Sequence, residues 1–384
     1  MNRTLFSLIV FLTMILGSAS AQELGNFANK PLVSPEVAGD SITFRLSADY
    51  ATVVSVWGSW LDWGQAPVPM TKGPGGVWSA TVGGLEPELY FYWFVVDGVK
   101  TLDPANVLMQ RDGTSFLSCA IVDGERSAGY HETASTQHGT LSYMWYDSPT
   151  LGMQRRLSVY TPYGYEGGGQ KYPVLYLLHG SGGDEDAWPS MGRTVQIMDR
   201  LIEQGLAKPM IVVMPNGNPW QQAAKTLQLP ERQMDLRAPE NADIYVRSLV
   251  GDIVPFIEKN FRVIAQPSGR AIAGLSMGGG HTIAAANLFP GFFQYICPLS
   301  MGIRATDPSA LEDYRARFQG LKKAGYKLYW VGCGDADFLY DSACTLDAML
   351  TECGLEHTYY VSEGGHTWAN WRLFLSNFAP LLFK

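Results

Sequence analysis

Residues 270–280 read RAIAGLSMGGG. An apolar run ends at Leu275, a serine follows at 276, and Gly274 and Gly278 stand two residues either side of it. This G-x-S-x-G spacing between an apolar strand and a helix start predicts a sharp strand-to-helix turn. Such a turn lifts the Ser276 hydroxyl above a sheet. Side chains at 274 and 278 would crowd it, so glycine is expected there. The N–H groups opening the new helix and its dipole favour negative charge at the same spot. Ser276 is therefore the candidate nucleophile.

Around this turn the pattern from about residue 155 onward alternates strands with helices. YPVLYLLHG (172–180), KPMIVVMPNG (208–217), FQYICPLS (293–300), KLYWVGCG (327–334) and HTYYVSEGG (357–365) are near-continuous apolar runs ending in Gly, Ser or Pro. Runs of this kind suit parallel strands covered on both faces. Helical patterns lie between them in TVQIMDRLIEQG (194–205), VRSLVGDIVPFIEKNF (246–261) and LDAMLTECG (346–354). The expected fold is α/β, with catalytic loops at the carboxyl ends of the strands.

A serine nucleophile needs a base, and the base needs an orienting acid, in the chain order Ser, Asp or Glu, His. His366 sits in the glycine loop SEGGHTWANW (362–371), after the strand HTYYV, and is the candidate base. His357 precedes that strand and reads as a surface residue, and His281, on the helix after Ser276, reads as packing or wall. The acid should follow KLYWVGCG, where Asp335, Asp337 and Asp341 are available. Asp337 is favoured, because a residue slightly past the strand end can curl back under the imidazole, and Asp335 suits a turn or cap. Oxyanion donors are expected from the N–H groups of Met277 and of Ser181 in LLHGSGGDEDAW (177–188), with His179 bracing that loop. Trp188 and Trp220 are candidate substrate contacts. Trp220 opens the long polar connection 216–248, the kind of segment that forms a cleft rim.

Residues 22–125 differ. SITFRL (41–46) alternates, VVSVW, VWSATV and LYFYWFVVDG are β-type, and Gly- and Pro-rich turns separate them, which predicts a small β-sandwich. Trp57 and Trp78 read as core, whereas Trp60 and Trp63 sit in a glycine-containing loop. Before this, Arg3, the apolar stretch Leu5–Leu16 and Ala19-Ser20-Ala21 read as a secretory leader over 1–21, with export to the periplasm or beyond and no membrane attachment after cleavage. The expected division is thus 1–21, 22–125 and, connector included, 126–384. The net charge of −8 with no basic cluster argues against nucleic acid. Five cysteines without a C-x-x-C pair indicate neither a zinc ribbon nor a redox motif. Neither metal nor organic cofactor is expected.

Two resemblances follow from these motifs. The stretch from VSVWGSWLDWGQ to VVDGVKTLDPAN (54–106) resembles the immunoglobulin-like early-set modules of glycan-active enzymes, carbohydrate-binding module family 48, in which some aromatics bind sugar; the resemblance makes Trp60 and Trp63 the candidate sugar platforms. LYLLHGSGG, KPMIVVMPNG, SLVGDIVPFIEKNF, RAIAGLSMGGG and GGHTWANWRLFLSNFAPLLF resemble, in order, the esterase-D-type, feruloyl esterase branch of the α/β-hydrolases, carbohydrate esterase family 1. This implies an α/β-hydrolase domain behind the sandwich, with Ser276, Asp337 and His366 as triad. It also implies release of ferulate from arabinoxylan or a related plant cell-wall polysaccharide or feruloylated oligosaccharide. His281 departs from the pattern, which more often has Gln. The alternatives are an acetyl xylan esterase, a siderophore esterase, a mycolyl-type acyltransferase and an inert glycan-binding protein.

Overall fold

The computed structural model describes residues 32–61, 64–113, 115–220, 241 and 243–384. The expected leader and Trp63 lie outside the described residues. Among the described residues, no helix is long and apolar enough to cross a membrane.

The first part is a sandwich of two antiparallel sheets. One runs in the order Glu36–Ala38, Ser41–Ser47, Val77–Val82, Thr71–Lys72; the other places Leu89–Val96 between Val54–Gly58 and Ser115–Ile121. Alternation decides the core: Ile42, Phe44 and Leu46 are buried between the sheets, and the residues between them are half-buried. LYFYWFVV does not alternate because both of its faces are covered. Tyr92 and Phe94 point into the sandwich, while Leu89 and Phe91 join the core of the second part.

That second part is an eight-stranded sheet. Its strands are β1 (Thr140–Ser148), β2 (Met153–Thr161), β3 (Val174–Leu178), β4 (Ile211–Pro215), β5 (Arg270–Leu275), β6 (Tyr295–Leu299), β7 (Leu328–Gly334) and β8 (Thr358–Ser362). The spatial order is β1-β2-β4-β3-β5-β6-β7-β8, antiparallel as far as the β2–β4 pair and parallel from there to β8. Strands β3, β4 and β6 are buried at every residue, with a separate apolar cluster on each sheet face, as their unbroken apolar runs require. The expected helix over 246–261 is interrupted. Helical turns at Ile244–Ser248 and Val254–Asn260 flank a π turn, Leu249–Ile253, where the Val254 N–H reaches back to the Leu249 carbonyl. Pro255 has no N–H with which to continue the regular ladder, and the widened turn absorbs the defect.

Buried ionic contacts join sandwich and sheet. Arg372 donates to Glu88 at 2.9 Å and to the Met191 carbonyl at 2.6 Å. Arg111 pairs with Asp184 and, at 3.0 Å, with Asp186, both in the loop after β3. The sandwich therefore rests against the sheet end that carries the chemistry-bearing loops.

Candidate active site

Ser276 stands between β5 and the helix Met277–Leu288 with φ +51° and ψ −117°. A non-glycine residue held at positive φ is a strained conformation of the kind that gathers at functional sites. Its N–H donates to the Leu299 carbonyl of β6 at 2.9 Å, which pins the turn to the sheet. The glycine spacing has a direct steric cause. A Cβ on Gly278 would lie 2.6 Å from the Leu178 carbonyl oxygen and 2.7 Å from that of His179; one on Gly274 would lie 2.4 Å from the Gly278 oxygen. Backbone blocks both positions, so neither neighbour can give way.

His366 and Asp337 meet although 29 residues separate them. The carboxylate accepts from the imidazole Nδ1 at 2.9 and 3.0 Å and from the Leu339 N–H at 2.8 Å. Burial alone would raise the Asp337 carboxyl. The hydrogen bonds from His366 and the Leu339 N–H outweigh it, and the carboxyl is held below its usual range. With Nδ1 committed to Asp337, Nε2 is the nitrogen left to serve as base. Asp335 does something else: its carboxylate accepts the Gly364 N–H at 2.9 Å and ties down the loop bearing His366. Asp341 lies in the first turn of the helix Tyr340–Glu352.

The loop after β3 runs against Ser276; a Cβ on Gly180 would come within 3.2 Å of the Ser276 Cβ. Ser181 lines the cavity beside it, and Met277 opens the helix. His179 braces this loop with both nitrogens. Nδ1 donates to the Gly180 carbonyl at 2.7 Å, and Nε2 accepts the Gly217 N–H at 2.7 Å, so the ring is neutral and links the β3 and β4 loops. Arg111 adds a grip from the sandwich through Asp184 and Asp186.

Ser276 and His366 open into one cavity of about 860 Å³, within the roughly 300–1,000 Å³ usual for ligand sites. Its far wall belongs to the sandwich. Trp57 and Trp93 stack there with ring centroids 4.0 Å apart, and the Lys100 ammonium sits 3.7 Å over the Trp93 ring. This corrects the reading of Trp57 as core. Trp57 and Trp93 oppose each other across the strand pair on the face turned toward the second part, and strand alternation cannot show which face another domain will roof.

Four other readings change. Trp188 is buried, donates to the Leu178 carbonyl at 2.9 Å and packs edge-on to Trp368, so it supports the loop from below instead of contacting a ligand. Trp60 stacks on Phe44 at 5.2 Å in the sandwich interior because its loop folds inward. Trp220 is half-buried at the edge of the described segment and outside the cavity lining. His357 is not a surface residue: it is mostly buried and bonded to Asp347 at 2.9 Å and to the Leu355 carbonyl. Trp78 is buried, with its indole N–H on the Ala48 carbonyl. All five cysteines are free thiols.

His281 lies under the site, its ring 4.6 Å from that of Tyr245 and tilted 36° to it, with Nδ1 buried and unpartnered. Burial, with His179 nearby, pushes its pKa down to about 3 from 6.5. The unfolded chain takes up a proton near pH 6.5 that the folded chain refuses until about pH 3. Stability is therefore lost as pH falls through that window. His281→Gln is expected to flatten the fall, read as the unfolding midpoint between pH 7 and 4. An unchanged slope would refute the assignment.

Residues 148–330 match the family described as putative esterase, and residues 32–109 match carbohydrate-binding module 48, the isoamylase N-terminal domain. The first match falls on the eight-stranded sheet and the second on the sandwich. An endo-1,4-beta-xylanase/feruloyl esterase of Xylanibacter ruminicola is 31% identical over 332 residues, 84% of this chain; the chain spans 42% of that protein's length. The solved structure of a ferulic acid esterase superposes with TM-score 0.53 at 27% identity, covering 64% of this chain and 98% of its own. The enterobactin esterase of Shigella flexneri shares the two-domain fold, with TM-score 0.64 at 15% identity over 94% of this chain and 98% of its own. The part that matches carbohydrate-binding module 48 therefore forms a wall of the cavity that holds Ser276.

Proposed function

We propose that the chain is an exported serine ester hydrolase that releases ferulate or a related hydroxycinnamate from arabinoxylan. One observation carries the reading. Ser276, on its strained turn, and His366, anchored on buried Asp337, face a single cavity whose opposite wall is the aromatic face of the module. The xylanase/feruloyl esterase relative supports the substrate class.

In the proposed mechanism the Ser276 Oγ attacks the ester carbonyl while His366 Nε2 takes its proton. Asp337 holds Nδ1–H, fixing the tautomer and stabilising the imidazolium. The N–H groups of Ser181 and Met277 receive the oxyanion. His366 then protonates the leaving sugar hydroxyl, and water clears the acyl-enzyme with His366 again as base. The stacked Trp57–Trp93 pair supports the sugar chain of the alcohol half.

The test is product release by the purified chain from feruloylated and from acetylated arabinoxylan. Ferulate as main product supports the proposal. Acetate alone overturns the acyl assignment in favour of an acetyl xylan esterase. Neither product, with nitrophenyl acetate still cleaved, would favour a siderophore ester, the reading consistent with the shared two-domain fold. Replacing Trp57 and Trp93 together by alanine is expected to raise KM for the feruloylated polysaccharide about tenfold while leaving nitrophenyl acetate turnover within about twofold. Equal losses on both substrates would remove the sugar-platform role.

A further inference from the structure

The imidazole of His366 touches more than its acid. Phe338, the residue after Asp337, places its ring 4.4 Å from the His366 ring, centroid to centroid, at an interplanar angle of 45°. Trp371, one turn into the following helix, meets the same ring at 5.0 Å and 90°. The turn that begins at Gly334 makes this possible. The Asp337 N–H bonds the Gly334 carbonyl, and the Leu339 N–H caps the Asp337 carboxylate, so Asp337 faces inward and Phe338 is thrown outward across the imidazole. Phe338 is 76% exposed, so its ring gains little from burial in the free protein. Trp371 is fixed independently, buried, with its indole N–H on the Ser300 hydroxyl at 2.9 Å.

We propose that Phe338 and Trp371 form an aromatic clamp that positions His366 and stabilises its imidazolium, with Phe338 the adjustable member. A cation within about 6 Å of an aromatic ring centroid is attracted by the ring quadrupole. His366 becomes a cation only after taking the serine proton, so the clamp acts more strongly on the charged ring than on the neutral one. That is the condition for speeding the reaction instead of merely tightening binding. The inference rests on the triad reading above. Phe338 and Trp371 are positioning residues, acting through His366.

The charged groups around the ring are Asp337 beneath it, Glu363 on its own loop and Arg372 on the next helix, with Glu88, Lys100, Asp112 and Arg126 across the cavity. All of them persist when Phe338 is changed, so a shift in pH profile reports the ring contact. The experiment uses the full chain and nitrophenyl acetate. Phe338→Leu is expected to lower kcat about three- to tenfold with KM within about twofold. It should also move the acid limb of kcat/KM about half a pH unit toward lower pH, because the charged ring loses a partner. Phe338→Trp should restore both. A pH profile identical to the parent's, or a change confined to KM, would overturn the clamp, the latter making Phe338 a substrate contact. Leu and Trp variants that fall equally would also overturn it. Ser276→Ala run alongside separates the two readings. If it stays active, the triad reading fails; if it is inactive while Phe338→Leu is unaltered, only the clamp fails.

Discussion

Ser276→Ala is expected to reduce kcat for any ester substrate by about 10⁴- to 10⁶-fold. No other hydroxyl is carried on this turn between β5 and its helix, and the strand-end geometry that presents it cannot be supplied by a neighbour. The residue left behind is still non-glycine at φ +51°, so the backbone cost is the same in both proteins. The unfolding midpoint should therefore stay within a degree or two of the parent, and, on the proposed function, binding of a feruloylated oligosaccharide should persist. The residual rate would come from the oxyanion donors and from substrate positioning. Turnover of nitrophenyl acetate and of a feruloylated oligosaccharide, measured with thermal unfolding on the same preparation, checks the prediction. A variant within tenfold of the parent would remove Ser276 from the mechanism.

Asp337→Asn is expected to cost about 10⁴ in kcat with little change in KM. The carboxylate is fully buried and accepts from both the Leu339 N–H and His366 Nδ1. An asparagine can keep the first bond only by turning its oxygen to Leu339, which aims its amide N–H₂ at Nδ1. The imidazole must then accept at Nδ1 and carry its proton on Nε2, where it can no longer take one from Ser276. Geometry survives and the tautomer is wrong. Stability changes with a defined sign. The Asp337 carboxyl is held below 3.8, its ordinary value, so its contribution is full above that pH and is lost as pH falls through the folded value. Acid unfolding of the variant should accordingly be shallower below about pH 4. A variant retaining a tenth of parental kcat would refute the orienting role, whereas equal acid slopes would refute only the stability argument.

Much of the site was legible in the chain because local sterics impose it. Gly274 and Gly278 flank Ser276 because carbonyl oxygens occupy the space where side chains would go. The unbroken apolar runs mark strands covered on both faces, and the order of those strands places Ser276, Asp337 and His366 at one sheet end. Even the choice of Asp337 over Asp335 follows from how far past β7 each residue lies. Asp335, the first residue past β7, accepts the Gly364 N–H instead.

The aromatic residues were another matter. Composition and alternation identify a tryptophan on a strand, and they do not say what lies opposite it. Trp57 and Trp93 line the cavity because the sandwich docks with that face over the catalytic sheet; Trp60 packs inward on Phe44; Trp188 lies under its own loop; Phe338 comes to rest on His366. Local rules govern turns and strand faces through contacts a few residues apart, and the chain carries those in plain order. Which side chains meet across domains depends on the docking of two finished surfaces, made by Arg372 with Glu88 and Arg111 with Asp184 and Asp186. Those contacts span tens to hundreds of residues, and only the folded structure brings them together.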